Sequence, residues 1–228
     1  MTIGAIVVCR FDSKRLPGKV LADIAGKPLL WYVLTRCFAA SRLNRIIVAT
    51  SDRPVDDPIL EYCASQSIAA FRGSANNVAA RMLHCAEQVG LDYFFRINGD
   101  SPCVEPSLLD LAVSKLQDYP WDFITNLYPR SFPYGISVEL ISTATYRKVY
   151  PEILDSGHLE HATQYLYQNL GLFRWQNILR CGEDLSQKRL TIDTSEDLVW
   201  FRDLTSKTQN RWATLSHEEI VTKYSDSR

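Results

Sequence analysis

Arg10, Lys14, Arg15 and Lys19 fall within ten residues, in the run Arg10-Phe11-Asp12-Ser13-Lys14-Arg15-Leu16-Pro17-Gly18-Lys19. They are interleaved with Ser, Pro and Gly and have no helical periodicity. Guanidinium forks and an ammonium point charge neutralise phosphate oxygens, and a tight loop adds backbone N–H donors. The segment has the composition of a polyphosphate cradle. It is neither a G-x-x-x-x-G-K-[ST] loop nor a G-x-G-x-x-G turn. A solvated basic loop is the plain alternative, and charge alone favours it. The position just after the apolar run Ile3–Cys9 tips the reading toward the cradle.

Two further segments place carboxylates where strands end. Asn98-Gly99-Asp100-Ser101-Pro102 follows the strand-like Tyr93–Ile97 (YFFRI). One carboxylate together with substrate phosphates is the usual way of holding Mg²⁺, although an Asp in a turn can equally be a cap. In Thr191-Ile192-Asp193-Thr194-Ser195-Glu196-Asp197, Glu196 and Asp197 offset a helix dipole, which leaves Asp193 free to act as a second ligand.

These residues need a scaffold, and the elements supply one. Ile3–Cys9 and Arg45–Thr50 read as buried strands. Pro28–Ala40, Asp57–Gln66 (with Asp57 as N-cap) and Asn77–Val89, closed by Gly90, read as helices. The alternation predicts an α/β chain with a mainly parallel sheet covered by helices on both faces. In such sheets ligands bind outside the carboxyl ends of the strands, where two of the three segments lie. The later half is less regular. Strands are expected at Phe123–Asn126, Ile136–Ile141, Phe173–Ile178 and Arg189–Ile192, with helices at Thr143–Tyr150, Leu159–Gln168 and Ser195–Leu204, the last with a capping signature. Tyr128–Gly135 reads as a pocket-building loop.

With 228 residues and no Pro/Gly/Ser linker, one domain is expected over residues 1–228. Hydrophobic residues are 46% and charged residues 22%, which excludes wholesale disorder. A net charge of -1 argues against nucleic acid as a partner, so any anion site must be a local cluster. The N-terminal apolar run stops at Arg10, too short for a membrane span or signal peptide, and a cytoplasmic location is expected. The six cysteines contain no C-x-x-C pair and are expected to be reduced and mostly in the core.

The three segments, in this order, resemble the cytidylyltransferase family that makes CMP-activated acidic sugars, which includes the CMP-sialic acid, CMP-pseudaminic acid and CMP-Kdo synthetases. The likeness extends to the branch named for spore coat polysaccharide biosynthesis protein F. It rests on RLPGKVL (Arg15–Leu21), GKPLL (Gly26–Leu30), VATSD (Val48–Asp52), FRGS (Phe71–Ser74), NGDSP, YGISVE (Tyr134–Glu139), Glu160-His161 and IDTSEDL (Ile192–Leu198). The resemblance implies a three-layer, mixed-sheet nucleotide-diphospho-sugar transferase (Rossmann-like) fold. Residues 1–126 would mainly hold the nucleotide, and residues 127–228 the acceptor and the second metal ligand.

By the same resemblance Arg10, Ser13, Lys14, Arg15 and Lys19 hold the CTP triphosphate, with Arg72 and Asn98 near the nucleotide. Arg10, Arg15, Lys19 and Asp100 carry catalysis. Asp100 and Asp193 hold Mg²⁺, and Tyr134, Gly135, Glu139 and His161 meet the sugar. A homodimer is implied as well. Val8-Cys9, Asn77 and Leu159 depart from the family pattern, where Gln-Ala, Asp and Arg are usual. Another NTP, a non-sugar acceptor, a metal-dependent glycosyltransferase reaction and a non-catalytic role stand as alternatives.

Overall fold

The computed structural model describes residues 1–224. In chain order its strands are β1 (Ile3–Val8), β2 (Asp23–Ile24), β3 (Lys27–Pro28), β4 (Arg45–Ser51), β5 (Ala69–Gly73), β6 (Tyr93–Asn98), β7 (Phe123–Thr125), β8 (Glu139–Ser142) and β9 (Trp175–Asn177). Its α-helices are α1 (Leu29–Phe38), α2 (Asp57–Ser65), α3 (Val78–Val89), α4 (Pro106–Lys115), α5 (Thr143–Val149), α6 (Ser156–Glu160), α7 (Gln164–Gln168), α8 (Ser195–Thr208) and α9 (His217–Tyr224).

The main sheet has the order β5-β4-β1-β6-β8-β7-β9, while β2 and β3 form a small hairpin. Its pairs are parallel except where β8 meets β6 and β7, so β8 alone runs against the others. This is the expected α/β fold with a mainly parallel mixed sheet. One face packs on residues from α1, α2, α4 and α8, such as Leu29, Ile59, Leu109 and Phe201. The other face packs on α3, α5 and α7, through Met82, Tyr146 and Leu166. Apolar strands such as Ile3–Val8 suit this double burial, because a strand covered on both faces has no polar side to show.

The strand order reverses beside β1. From β1 the chain moves outward to β4 and β5, then returns to place β6 on the other flank. Loops leaving the carboxyl ends of β1 and β6 therefore diverge and leave a crevice between them. Those loops carry Arg10–Lys19 and Gly99-Asp100.

Local chemistry explains several boundaries. Asn77 caps α3 by accepting the Ala80 N–H at 2.8 Å, and Gly90 closes it with φ 70°. Thr194 and Asp197 form a reciprocal capping box on α8. Other expectations need correction. Asp56, not Asp57, precedes α2, and its carboxylate accepts the Phe11 N–H and the Ser51 hydroxyl instead of capping the helix. Pro58 in the first turn removes an amide hydrogen that a cap would use. The helix expected over Leu159–Gln168 is broken into α6 and α7. Tyr146 donates its hydroxyl hydrogen to the Ala162 carbonyl at 2.7 Å, an acceptor that a continuous helix would need. Arg189–Ile192 is no strand and makes only one isolated bridge, Tyr134 with Arg189. β5, α4 and α9 were not anticipated. Cys181 is exposed, while the other five cysteines are buried.

Candidate active site

A cavity of about 380 Å³ opens at the carboxyl ends of β1 and β6. The loop after β1 contributes Arg10, Ser13, Lys14, Arg15 and Lys19 to its wall. β6 and its following turn contribute Arg96, Asn98 and Asp100, α3 contributes Arg81, and the end of α6 and the break after it contribute Glu160 and His161. A second hollow shares Arg10, Lys14 and Glu160 with it and extends toward Asp12, Arg53 and Asn76.

Two glycines shape the walls. Gly18 turns the loop with φ 73°, in the left-handed region, which lets Lys19 point back into the cavity. A Cβ on Gly99 would lie 2.5 Å from the Cys9 Cβ, so only glycine lets the two loops approach this closely. Cys9 is a buried packing residue, as expected. Burial pushes its thiol well above the ordinary range, which removes it as a nucleophile.

The centre of the arrangement is Lys19. Its ammonium donates to Asp100 Oδ2 at 2.7 Å, to the Ile192 carbonyl at 2.9 Å and to Asp193 Oδ1 at 3.1 Å. An ammonium has three hydrogens, and these contacts use them all. Asp193 is the more enclosed carboxylate. Its Oδ1 also accepts from Arg15 at 2.6 Å, and its Oδ2 accepts from Arg189 at 2.7 Å and from the Thr191 hydroxyl at 3.1 Å. Burial would raise the Asp193 carboxyl, but Lys19, with Arg15 and Thr191, outweighs burial and holds it below the usual carboxylate value. Asp100 is more open and lines the cavity. Two carboxylates far apart in the sequence thus converge on one position of positive charge.

The other flank is built differently. Arg96 donates to Glu139 Oε2 at 2.8 Å, and Glu139 Oε1 accepts from the Tyr167 hydroxyl at 3.0 Å. That hydroxyl is 2.7 Å from Thr125 Oγ1, which also accepts the Leu127 N–H. Burial, and then the Glu139 charge, push the Tyr167 hydroxyl well above its ordinary range, so it stays a neutral donor. Arg81 is buried, donates to the Ser74 carbonyl at 3.0 Å and has no partner for Nε among the described residues.

The sequence-derived candidates therefore divide. Arg10, Ser13, Lys14, Arg15, Lys19, Asn98, Asp100 and His161 line the cavity, and Asp193 stands directly behind Lys19. Glu139 reaches the cavity only through Arg96. Tyr134 and Gly135 do not line it. The Tyr134 ring stacks under Arg130 and Arg189, with guanidinium carbons 4.2 and 5.3 Å from its centroid, and so supports the arginine that holds Asp193. Gly135, at φ 97°, lets the loop approach Leu190, where a Cβ would come within 2.9 Å of the carbonyl carbon. Arg72 lies outside the cavity, half-exposed, and binds Asp57 and the Asp52 carbonyl. Arg81, Arg96 and Arg189 were not singled out from the sequence. Single arginines inside the apolar runs Val78–Leu83 and Tyr93–Ile97 are the signal that marks the first two.

The cytidylyltransferase family model matches residues 4–221. The chain belongs to this family. Family members are CTP-dependent nucleotidyltransferases, and this chain is one by that membership. It is 32% identical over 224 residues to the spore coat polysaccharide biosynthesis protein SpsF of Bacillus subtilis, covering 95% of this chain and 91% of that protein. Among solved structures, a cytidylyltransferase from Leptospira borgpetersenii superposes with TM-score 0.91 at 27% identity, covering 98% of this chain and 94% of the other. A CMP:2-keto-3-deoxy-manno-octonic acid synthetase complexed with CTP shares the fold, with TM-score 0.67 at 18% identity over 91% and 99% of the two chains.

Among the described residues no helix is long and apolar enough to cross a membrane. Nor do three or more His, Cys, Asp or Glu side chains gather there to hold a metal ion. Asp100 and Asp193 nevertheless fit a divalent cation, because they already converge on a cation, the Lys19 ammonium. Two carboxylates completed by substrate phosphate is a usual Mg²⁺ arrangement.

Proposed function

We propose that the protein transfers CMP from CTP to a hydroxyl of an acidic sugar and releases pyrophosphate, as a step in making a surface polysaccharide or glycoconjugate. One observation carries the reading: Arg10, Lys14, Arg15 and Lys19 share a single cavity with Asp100 at the crevice between β1 and β6. The relatives support it, since one acts in spore coat polysaccharide biosynthesis by name and one fold neighbour is a sugar-acid synthetase complexed with CTP.

The sugar hydroxyl attacks the α-phosphorus, and the bond to the β-phosphate oxygen breaks. Arg10, Lys14, Arg15 and Lys19 receive the charge that builds on the leaving pyrophosphate, and Ser13 adds a hydroxyl donor. Preorganised charge of this kind dominates phosphoryl transfer. Asp100 and Asp193 would hold Mg²⁺, which when bound polarises the α-phosphate and acidifies the attacking hydroxyl. For Lys19 to reach phosphate, its ammonium must leave the two carboxylates. Asn98 faces the nucleotide, while Glu139 (through Arg96) and His161 border the acceptor. Asp193 stays oriented by Arg189 over Tyr134, across the turn that Gly135 permits. Arg72 borders the nucleotide only if its contact with Asp57 opens. A single domain, a homodimer and a cytoplasmic location belong to this reading.

The test is pyrophosphate release from CTP over a panel of acidic and neutral sugars, with and without Mg²⁺. Metal-dependent release with an acidic sugar is expected. Release only with a neutral sugar or a non-sugar alcohol overturns the acceptor class. Hydrolysis of a nucleotide-sugar without pyrophosphate favours the glycosyltransferase reading.

A further inference from the structure

We propose that Arg96 receives the anionic group of the acceptor, and that the buried chain Glu139–Tyr167–Thr125 exists to hold its guanidinium in place. The inference rests on the cytidylyl-transfer reading and assigns within it a residue that decides acceptor specificity.

Arg96 sits in the middle of β6, between Phe95 and Ile97, which are both fully or almost fully buried. A guanidinium in such a run is costly unless its donors are used. Only Nη1 has a recorded partner, Glu139, and Nε is buried with none among the described residues. Arg96 nevertheless lines the cavity, with its side chain 21% exposed. The residue thus combines a fixed orientation with donor capacity left over, which is what a ligand-binding arginine requires and a purely structural one does not.

The charge balance points the same way. Glu139 is buried and its two oxygens are already taken, one by Arg96 and one by Tyr167. Burial alone would lower the Arg96 affinity for its proton, but the Glu139 carboxylate outweighs burial and raises it, so the guanidinium is charged throughout the working range. Glu139 is in turn locked by Tyr167, whose hydroxyl is anchored on Thr125. A planar fork held at Nη1 with Nε enclosed presents Nη2 in a fixed direction, suited to a carboxylate oxygen.

Position separates this group from the phosphate cations. Arg96 lies two residues before Asn98 and four before Asp100, and strands rise about 3.3 Å per residue. It therefore stands deeper in the crevice than the metal-facing carboxylate, while Lys14, Arg15 and Lys19 approach from the loop after β1. A nucleotide whose phosphates lie on that loop leaves Arg96 for a second negatively charged group. Nearby His161 and Glu160 close the cavity from the end of α6 and the break after it.

The experiment compares Arg96→Gln, Arg96→Lys and the double variant Arg96→Gln/Glu139→Gln with the wild type. The double variant restores a neutral hydrogen-bonded pair should the single change leave Glu139 too poorly matched to fold. Acceptor probes are 3-deoxy-manno-octulosonate and N-acetylneuraminate, each beside its methyl ester. Pyrophosphate release gives KM and kcat for the acceptor, and calorimetry gives the Kd for CTP.

The wild type is expected to prefer the free acid over its ester. Arg96→Gln and the double variant should raise the free-acid KM about 10–100-fold, the range for a lost hydrogen bond to a charged group. CTP affinity should change less than about twofold, the preference over the ester should vanish, and Arg96→Lys should recover part of the loss. A KM for the free acid that does not move, or a loss of CTP affinity in its place, overturns the proposal and leaves cytidylyl transfer standing. Wild-type protein that binds CTP but uses neither acid also overturns it. Wild-type protein that binds no CTP removes the underlying reading, and the inference with it.

Discussion

The two flanks of the cavity are built on opposite plans. On the loop flank, cations come from one contiguous stretch and reach partners more than 80 residues away: Lys19 to Asp100 and Asp193, and Arg15 to Asp193. Arg15 is largely exposed, and its bond can be exchanged for a phosphate at little cost. On the β6–β8 flank, Arg96, Glu139, Tyr167 and Thr125 form a chain that is mostly buried and fixed at each link. An exposed cation such as Arg15 suits a ligand that brings much charge and must also leave as pyrophosphate. A locked fork suits discrimination between acceptors. The contrast is one between positive charge on an exposed loop and positive charge locked into the sheet.

The largest expected effect that sharpens this contrast comes from Asp100→Ala. Turnover should fall by about 10²–10³-fold, the scale for removing one preorganised electrostatic group, while the protein stays folded, because Lys19 keeps the Ile192 carbonyl and Asp193 as partners. Near-native activity would remove Asp100 from the metal assignment.

Lys19→Met comes next. It leaves Asp100 and Asp193 facing each other without their shared ammonium, and breaking such an enclosed pair costs about 3–5 kcal/mol. Unfolding measured without metal should show that loss, and millimolar Mn²⁺ should recover more stability in the variant than in the wild type. Equal recovery in both would mean that the carboxylates do not form a cation position. In the same protein, CTP affinity should drop more than CMP affinity; equal losses argue against a phosphate role for Lys19.

A third expectation concerns pH. Hydrogen bonds from Arg174 outweigh burial and pull the Asp122 carboxyl from 3.8 to about 2, and Asp193 is also held low. Both carboxyls are more acidic in the folded chain than in the unfolded one. The stability that Asp122 contributes is therefore present above pH about 4 and fades as pH falls toward about 2, and that of Asp193 is lost in the same direction. Asp122 lies outside the cavity, bonded to Arg174 and Thr145. Asp122→Asn should flatten the acid limb of the stability profile and leave activity at neutral pH unchanged. An unaltered acid limb would show that this pair is not a source of acid sensitivity.

The smallest effect is expected from Arg72→Ala. Its half-exposed ion pair with Asp57 should contribute at most about 1 kcal/mol to stability, and CTP binding should weaken only a few-fold. A tenfold or greater loss would bring Arg72 into the nucleotide site and enlarge the loop flank.

The same contrast explains what the sequence made legible. The loop flank is a run of neighbouring basic residues after an apolar strand, and Asp100 and Asp193 follow strand-like runs, so the residues marked three segments and the family resemblance joined them into one site. The sheet was legible for the same reason, since Ile3–Val8, Arg45–Ser51 and Tyr93–Asn98 are short apolar runs separated by helical periods. The β6–β8 flank was not legible, because residues 96, 125, 139 and 167 meet only when β6, β7, β8 and α7 pack together. The helix break that brings His161 to the cavity depends on Tyr146 capturing one carbonyl, a tertiary contact that the periodicity of Leu159–Gln168 conceals. Tyr134 and Gly135 stand in a recognisable motif, yet they serve Asp193 through Arg189 and Leu190 and do not line the cavity.

The central claim is that this cavity selects CTP with a divalent cation. Its most direct test is thermal stability against CTP, UTP, GTP, ATP and dTTP, each with and without Mg²⁺, which requires no knowledge of the acceptor. At about 100 times its Kd a ligand stabilises the fold by about 2.7 kcal/mol. The account predicts a shift of that size with CTP, dependent on Mg²⁺ and reduced in Lys19→Met. An equal response to all five nucleotides, or no response to any, would contradict it.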